Sequence, residues 1–365
     1  MTDTPIPSAM SGVQAMLIER IQAAHASGTP LAIRGHGSKH FYGNPAVGEV
    51  LDTTALSGVI DYDSRELVLT AYAGTPLAGL ERLLAEHGQC LPFEPPLFAG
   101  QGTLGGTIAT GLSGPRRAYA GAARDFVLGT SIIDGTGQLL TFGGQVIKNV
   151  AGYDVSRLMA GALGTLGVLT RISLKVLPHP AETLSLQFEC DEATAIHRMN
   201  IWAGQPLPVS ATSWHAGLLT VRLSGAHSAV HAAHTRIGGE PLAHADDFWA
   251  RLRDHRAAFF ATRSKPLWRV SVASTAPAFS ACHPGLDADE WIEWGGALRW
   301  IACDAPAAQI RDAARALGGH ATRFSPGDSD AFTPLSPALA TLHRALKQRF
   351  DPHGVLNRGR LYPEF

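Results

Sequence analysis

The sequence predicts an α+β fold: a first unit over residues 1–180, a smaller α+β unit over 181–330 built on an antiparallel sheet, and a closing helix and tail over 331–365. Three observations lead there. Helix-period and strand-period segments alternate through the first 90 residues and again after residue 181. Two loops rich in glycine, serine and threonine, at 34–39 and 100–114, lie at the ends of such segments within the first unit. Pro178-His-Pro180 then breaks the pattern and marks the boundary.

In chain order, Ser11-x-x-Gln14 reads as a capping box for a helix through Val13, Met16, Leu17, Ile21 and Ala24, stopped by Gly28 and Pro30. A strand at Leu31–Ile33 leads into Arg34-Gly-His-Gly-Ser-Lys39. Gly58–Tyr62 and Glu66–Tyr72 alternate as two strands, and Thr75-Pro76 caps and starts a helix through Leu77, Leu80, Leu83 and Leu84. After the second loop, Phe126–Ile133 and Gln138–Phe142 flank Asp134-Gly135, a strong hairpin signal. Tyr153 to Ala160 reads as a short helix. Val168–Leu177 is an alternating strand. In the second unit, Thr183–Phe188, Leu218–Leu223 and Leu298–Ile301 read as strands. Asp191 caps a helix through Ile196 and Met199, and an alanine-rich helix spans Pro306–Leu317, giving a sheet with helices on one face. Leu335–Phe350 is an amphipathic helix that turns Leu339, Leu342, Leu346 and Phe350 inward and ends before Pro352.

The glycine-rich loops carry the chemistry. A residue without a bulky side chain lets bare backbone N–H groups face an anion, and Arg34 and Lys39 add cationic neighbours. Gly100-x-Gly102-x-x-Gly105 matches the dinucleotide fingerprint of a Rossmann fold, which requires a strand before it and a full helix after it. The preceding Leu91-Pro-Phe-Glu-Pro-Pro-Leu97 cannot serve as a central strand. The following helix has room only from Leu104 to about Thr110 before Gly111, Gly114 and Pro115. The Rossmann assignment is therefore rejected in favour of two loops gripping one pyrophosphate between them.

Charge and composition exclude other classes. A net charge of −1 and a pI near 7.0 give no basic field for nucleic acid. The four cysteines, Cys90, Cys190, Cys282 and Cys303, form no C-x-x-C pair, so neither a disulfide framework nor an iron–sulfur site is expected. His227, His231 and His234 share one helix face at i, i+4 and i+7, without a carboxylate or cysteine nearby in sequence, and no metal site is assigned. No segment approaches about 18 uninterrupted apolar residues and the N-terminus lacks a targeting pattern, so a cytoplasmic chain without a membrane span is expected.

The two loops, with Gly102-Thr-Leu-Gly-Gly-Thr-Ile-Ala109 and Gly164-Thr-Leu-Gly-Val168, resemble the FAD-binding domain of the vanillyl-alcohol oxidase and p-cresol methylhydroxylase (PCMH) superfamily. Within it, Asp61-Tyr-Asp63, Leu91–Pro96, Val150-Ala-Gly-Tyr-Asp154 and Phe350–Asn357 look like the smaller flavoprotein subunit of glycolate oxidase, also called glycolate dehydrogenase. The resemblance covers most of 30–180 and the tail. It implies a two-subdomain PCMH-type FAD-binding domain, followed by the cap at 181–330 and a tail that returns to the flavin domain.

It also implies FAD held non-covalently, with His36 and His40 solvated or hydrogen-bonded rather than bonded to the flavin. The cofactor-binding residues it implies are Arg34, Gly35, His36, Gly37, Ser38 and Lys39 in the first loop, and Gly102, Thr103, Gly105, Gly106, Thr107, Ala109, Ser113 and Gly114 in the second. Gly152 and Tyr153 follow beside the ring, then Gly164, Gly167 and Val168, and Asn357 and Arg360 from the tail. The implied partners are a second, larger FAD subunit and an iron–sulfur subunit, passing electrons towards a membrane quinone pool and associating this chain with the inner membrane through them. The implied activity is oxidation of glycolate or a similar small hydroxy acid to glyoxylate, or relay of the electrons.

One departure is plain. Related 2-hydroxy acid dehydrogenases carry a His-x-Gly-Asp-Gly-Asn-x-His segment in the cap, and none occurs here. Arg116, Arg117, Arg299 and Arg323 are candidate cations for a substrate carboxylate, and no pattern marks a base. Trp291, Trp294 and Trp300 are assigned to the cap core or to a partner-facing surface. A stand-alone FAD-dependent oxidase of another small hydroxy acid or alcohol, and a scaffold subunit without catalysis, are the alternative functions.

Overall fold

The computed structural model describes residues 8–98, 100–144, 154–262, 264–283, 285–327 and 330–365. Helix α1 (Ser8–Ser27) is already formed at Ser8, so Ser11 lies inside it and caps nothing. Leu17, Ile21 and Ala24 are buried against β1 (Leu31–Arg34) and β2 (Glu49–Asp52), a parallel pair that the tail joins through a bridge from Leu31 to Leu356.

A five-stranded antiparallel sheet forms the centre of the first unit. Its strands are β3 (Val59–Asp63), β4 (Val68–Tyr72), β5 (Val127–Ile133), β6 (Leu139–Gly143) and β7 (Val168–Lys175), in the order β3-β4-β7-β5-β6. The Asp134-Gly hairpin joins β5 to β6, with Asp134 Oδ1 accepting from the Thr136 and Gln138 amides. Helices α2 (Leu77–Glu86) and α3 (Leu104–Thr110) bury their leucines and Ile108 in the core of this sheet. Thr75 does not cap α2: its hydroxyl donates to the Tyr72 carbonyl at 2.7 Å, and Pro76 stands at the N-cap. The short helix expected from Tyr153 is one turn, Val155–Leu158, and Tyr153 lies outside the described residues.

The second sheet has eight strands: β8 (Glu182–Glu189), β9 (Val209–His215), β10 (Leu218–Gly225), β11 (Glu240–Pro241), β12 (Leu267–Ser271), β13 (Asp289–Glu293), β14 (Leu298–Ala302) and β15 (His320–Arg323). Their order is β11-β8-β10-β9-β13-β14-β12-β15, and every neighbouring pair is antiparallel. Helices α4 (Glu192–Ala203), capped by Asp191, and α5 (His227–Ile237) pack on one face with Leu186, Val221 and Ile292.

The expectation of helices on one face alone is corrected. Helices α6 (Ala245–Arg253) and α7 (Ala258–Ala261) cover the other face, where Trp249, Phe260, Trp291 and Trp300 meet Tyr42, Leu112 and Leu163 of the first unit. The alternation of the strands decides this, since Trp291 and Ile292 must point to opposite faces. The three tryptophans are core: each indole N–H is satisfied internally, Trp291 by Ser213 (2.7 Å), Trp294 by the Gly114 carbonyl (3.0 Å) and Trp300 by Glu293 (2.7 Å).

Helix α8 (Ala307–Ala316) packs on Trp268 and Ile301. Helix α9 (Pro337–Phe350), capped by Ser336, faces inward differently from the leucine pattern. Leu339 and Leu342 are exposed, while Ala340 and Lys347 are buried and Leu346 and Phe350 pack on the first core. The Lys347 ammonium explains the rotation, because it donates to Asp351 and to the carbonyls of Thr165 and Leu356, pinning helix and tail to the first unit.

Candidate functional site

The loop after β1 turns through Gly37 (φ 76°), and His40 N–H closes it on the Gly37 carbonyl. Opposite it stands α3, whose N-cap Thr103 accepts the Gly106 amide on Oγ1 at 3.1 Å. The two loops are in direct contact, because a Cβ on Gly35 would lie 2.5 Å from Thr103 Oγ1. Gly105 is required for a second approach: a Cβ there would meet the Ala73 carbonyl at 2.9 Å, the group that accepts the Gly105 amide. Tight packing of β4 on α3 thus leaves the space between the loops open.

That space is a cavity of about 780 Å³, counting the part of it that is open to solvent. The structure brings most of the expected residues to its wall: all of Arg34–Lys39, then Thr103, Gly105, Gly106, Ala109, Gly164, Gly167, Asn357 and Arg360. Gly102 lies just behind, its missing side chain leaving room for the Lys39 ammonium. Others are elsewhere. Thr107 is buried within α3, Val168 is in the core beneath β1 and β2, and Ser113 and Gly114 line a second cavity. Gly152 and Tyr153 lie outside the described residues. Sequence reasoning missed Ile33, Thr53, Ala73, Thr110, Leu163 and Leu169, which come from strands and the turns beside them or, for Thr110, from the end of α3, with no motif of their own.

Lys39 is the least satisfied group of the wall. It is 7% exposed, its Nζ has no hydrogen-bond partner among the described residues, and burial lowers its pKa to about 8 against the weaker pull of Asp254. A buried cation without a hydrogen-bonded partner is costly, so its neighbourhood suits an anion. Arg34, His36, His40 and Arg360 surround the same space. Arg360 is spent on structure: it donates to the Asn44 carbonyl and, at 2.9 Å, to that of His40, fixing the loop to the tail. Asn357, with φ 43°, does the same work, accepting the Ile33 amide at 2.7 Å and donating to the Leu163 carbonyl at 2.6 Å. Apolar Ile33, Ala73, Leu163 and Leu169 complete the wall, so the cavity offers both a cationic cradle and flat apolar surface. These features fit a dinucleotide with a charged middle and planar ends.

The candidate cations for a substrate carboxylate behave differently from surface residues. Arg299 is fully buried and pairs with Glu290 (3.3 Å) and Glu192 (3.6 Å), and Arg323 is also buried. Arg117 lies over the Trp294 ring, 4.4 Å from its centroid. His227 and His231 both reach Glu182 of β8, at 2.6 and 3.3 Å. No group of three metal-ligating side chains forms among the described residues. No described helix is long and apolar enough to cross a membrane.

Residues 12–143 match the family model described as "FAD binding domain". Glycolate oxidase subunit GlcE of Escherichia coli K12 is 48% identical over 348 residues, covering 95% of this chain and 97% of that one. Glycolate oxidase subunit GlcD of Bacillus subtilis is 30% identical over 185 residues, 50% of this chain and 39% of its own. The crystal structure of p-cresol methylhydroxylase with substrate bound superposes with a TM-score of 0.72, covering 96% of this chain and 87% of that one at 14% identity, which shows a shared fold. With nearly half its residues identical over almost the full length of both proteins, the chain belongs to the GlcE family of glycolate oxidase subunits, FAD-binding oxidoreductases of the PCMH fold.

Proposed function

We propose that this chain is the FAD-binding subunit of a glycolate-oxidising complex. FAD is held non-covalently, and electrons leave through a second, larger FAD subunit and an iron–sulfur subunit towards a membrane quinone pool. The observation that carries the cofactor assignment is the unpartnered, buried Lys39 ammonium between two loops stripped of side chains. The substrate class rests on the similarity to glycolate oxidase subunit GlcE.

In this reading Lys39 and Arg34 neutralise the diphosphate, while the small residues of 35–38 and 103–106 allow their backbone to approach it. Ile33, Leu163 and Leu169 flank the planar groups, and Asn357 and Arg360 hold the tail in place as structural pins. Bound FAD supplies a two-electron acceptor for the substrate and a one-electron donor for the next carrier. Association with the inner membrane comes through the partner subunits.

Purified anaerobically, the chain is expected to show a flavin spectrum that glycolate bleaches. A chain without flavin absorbance after incubation with FAD contradicts the cofactor assignment. A flavin spectrum that glycolate leaves unchanged in the chain alone, but bleaches once the larger subunit is added, assigns this chain the relay role instead.

A further inference from the structure

Helix α9 (Pro337–Phe350) leaves part of its leucine face in solvent. Leu339 is 49% exposed and Leu342 55%, and with the half-buried Leu346 they form a row at i, i+3 and i+7, the spacing of a seam between two helices. Small side chains flank the row, since Ala338, Thr341 and Ala345 are exposed as well. Large side chains beside a shallow strip of small ones make a surface of knobs and holes that a second helix can approach closely.

The rotation that exposes the row has a cost. One residue is about 100° around a helix, so a turn of that size would bring Leu346 to the place of Lys347 and carry Leu339 and Leu342 towards the core. The chain instead buries an ammonium there, held by Asp351 (2.7 Å) and by the carbonyls of Thr165 (2.9 Å) and Leu356 (2.7 Å). A buried ion pair is often no more stable than well-packed apolar side chains of similar volume. Stability alone therefore does not account for leucines turned outwards.

Charge selects the kind of partner that covers them. Helix α9 contains no Asp or Glu, and its exposed cations Arg344 and Arg349 form no ion pair among the described residues. Arg349 stands two turns beyond Leu342 on the same side of the helix. Arg358 of the tail, which donates to the carbonyls of His353 and Gly354, adds a positive charge near Lys347. By contrast, Arg251 on α6 and Arg315 on α8 are each neutralised by an aspartate of the same helix. A second copy of this chain does not supply the missing carboxylates, because two α9 helices face to face bring arginines and no acid. A lipid surface calls for a broader apolar face than two leucines among alanines.

We propose that α9 is the docking helix of this chain, and that the larger FAD subunit seats an acidic amphipathic helix along Leu339, Leu342 and Arg349. The identity of the partner rests on the functional reading above. Because Leu346 and Phe350 anchor α9 on the core of the first unit, a partner held there lies against the unit that carries the FAD cavity, as the next electron carrier must.

The test is calorimetric titration of the FAD-loaded chain with the purified larger subunit. Leu342→Glu and Arg349→Glu are each expected to weaken the complex at least tenfold, whereas Leu218→Glu, at a cap leucine that is 44% exposed, leaves it unchanged. Flavin absorbance and urea melts of each variant report the FAD site and the fold separately. With the photoreactive residue benzoylphenylalanine in place of Ala338, a cross-link to a carboxylate-rich helix of the larger subunit is expected. A complex that forms equally well with Leu342→Glu and Arg349→Glu overturns this inference and leaves the functional reading standing. A wild-type chain that forms no complex with the larger subunit overturns the reading of a shared complex and this inference with it. Cross-links to a second copy of this chain, or Leu342-dependent binding to phosphatidylglycerol vesicles with an unaffected subunit complex, also overturn it. Should a variant lose its flavin, the position of the cross-link decides.

Discussion

Replacing Lys39 by Met is expected to move two measurements in opposite directions. In the chain without FAD the ammonium is buried and unpartnered, and its pKa has fallen from 10.5 to about 8. Each unit is worth 1.36 kcal/mol, so holding the charge there costs about 3 kcal/mol, and methionine of similar length avoids most of it. The FAD-free Lys39→Met chain is therefore expected to be more stable at pH 7 by about 1–3 kcal/mol, the lower end allowing for the lost contact with the Phe98 ring. FAD binding should suffer in return, because a charge-assisted hydrogen bond contributes about 1.5–3 kcal/mol. The dissociation constant is expected to rise by roughly 10- to 150-fold. Urea denaturation of the FAD-free chain and quenching of flavin fluorescence supply the two numbers. A variant that is less stable and binds FAD as the wild type does would refute the reasoning, because Lys39 would then be a packing residue and not a cation awaiting an anion.

Other outcomes follow from neighbouring geometry. Asn357→Ala leaves the Ile33 amide and the Leu163 carbonyl without partners, so a loss of about 2–4 kcal/mol is expected in urea melts, with weaker FAD retention on gel filtration. Gly35→Ala pushes Thr103 Oγ1 off the Gly106 amide, costing about 1 kcal/mol of cap energy and measurably raising the FAD dissociation constant. Gly105→Ala meets backbone at Ala73, and a larger loss, about 1–3 kcal/mol, is expected. Stability should also depend on pH. Burial raises the Glu293 carboxyl to about 8, and burial with the neighbouring Glu192 raises that of Glu290 in the same direction, so above the ordinary carboxylate range and up to about pH 8 the folded chain holds protons that the unfolded chain releases. Stability therefore falls as pH rises through that window, by ~1.4 kcal/mol per unit from Glu293 alone. Glu293→Gln should make the slope shallower by that amount.

Much of this architecture was legible because it follows from backbone chemistry. The Asp134-Gly hairpin, the Asp191 cap and the end of α3 at Gly111 are local, and the residues that decide them sit within four positions of one another. The two glycine-rich loops were legible from their composition, although what disfavours a side chain at positions 35 and 105 is distant in sequence, the crowding by Thr103 and by Ala73. What escaped the sequence depends on partners far along the chain. Leu339 and Leu342 looked like the inner face of α9, but the reach of Lys347 to Thr165, 182 positions away, turns the helix. Asn357 stood in a recognisable motif, yet its task of joining Ile33 to Leu163 is visible only in three dimensions. Arg269 and Glu293 belong to ordinary alternating strands, and only sheet register turns them to the interface with the first unit. The cap sheet covered on both faces was missed because α6 and α7 are short, nine and four residues.

The most direct test of the cofactor site is equilibrium loading of the FAD-stripped chain, with flavin absorbance read before and after acid precipitation. One FAD per chain, lost from the Lys39→Met variant at concentrations that saturate the wild type and recovered in the acid supernatant, is the predicted result. A folded chain that takes up no FAD, or whose uptake does not depend on Lys39, would contradict it.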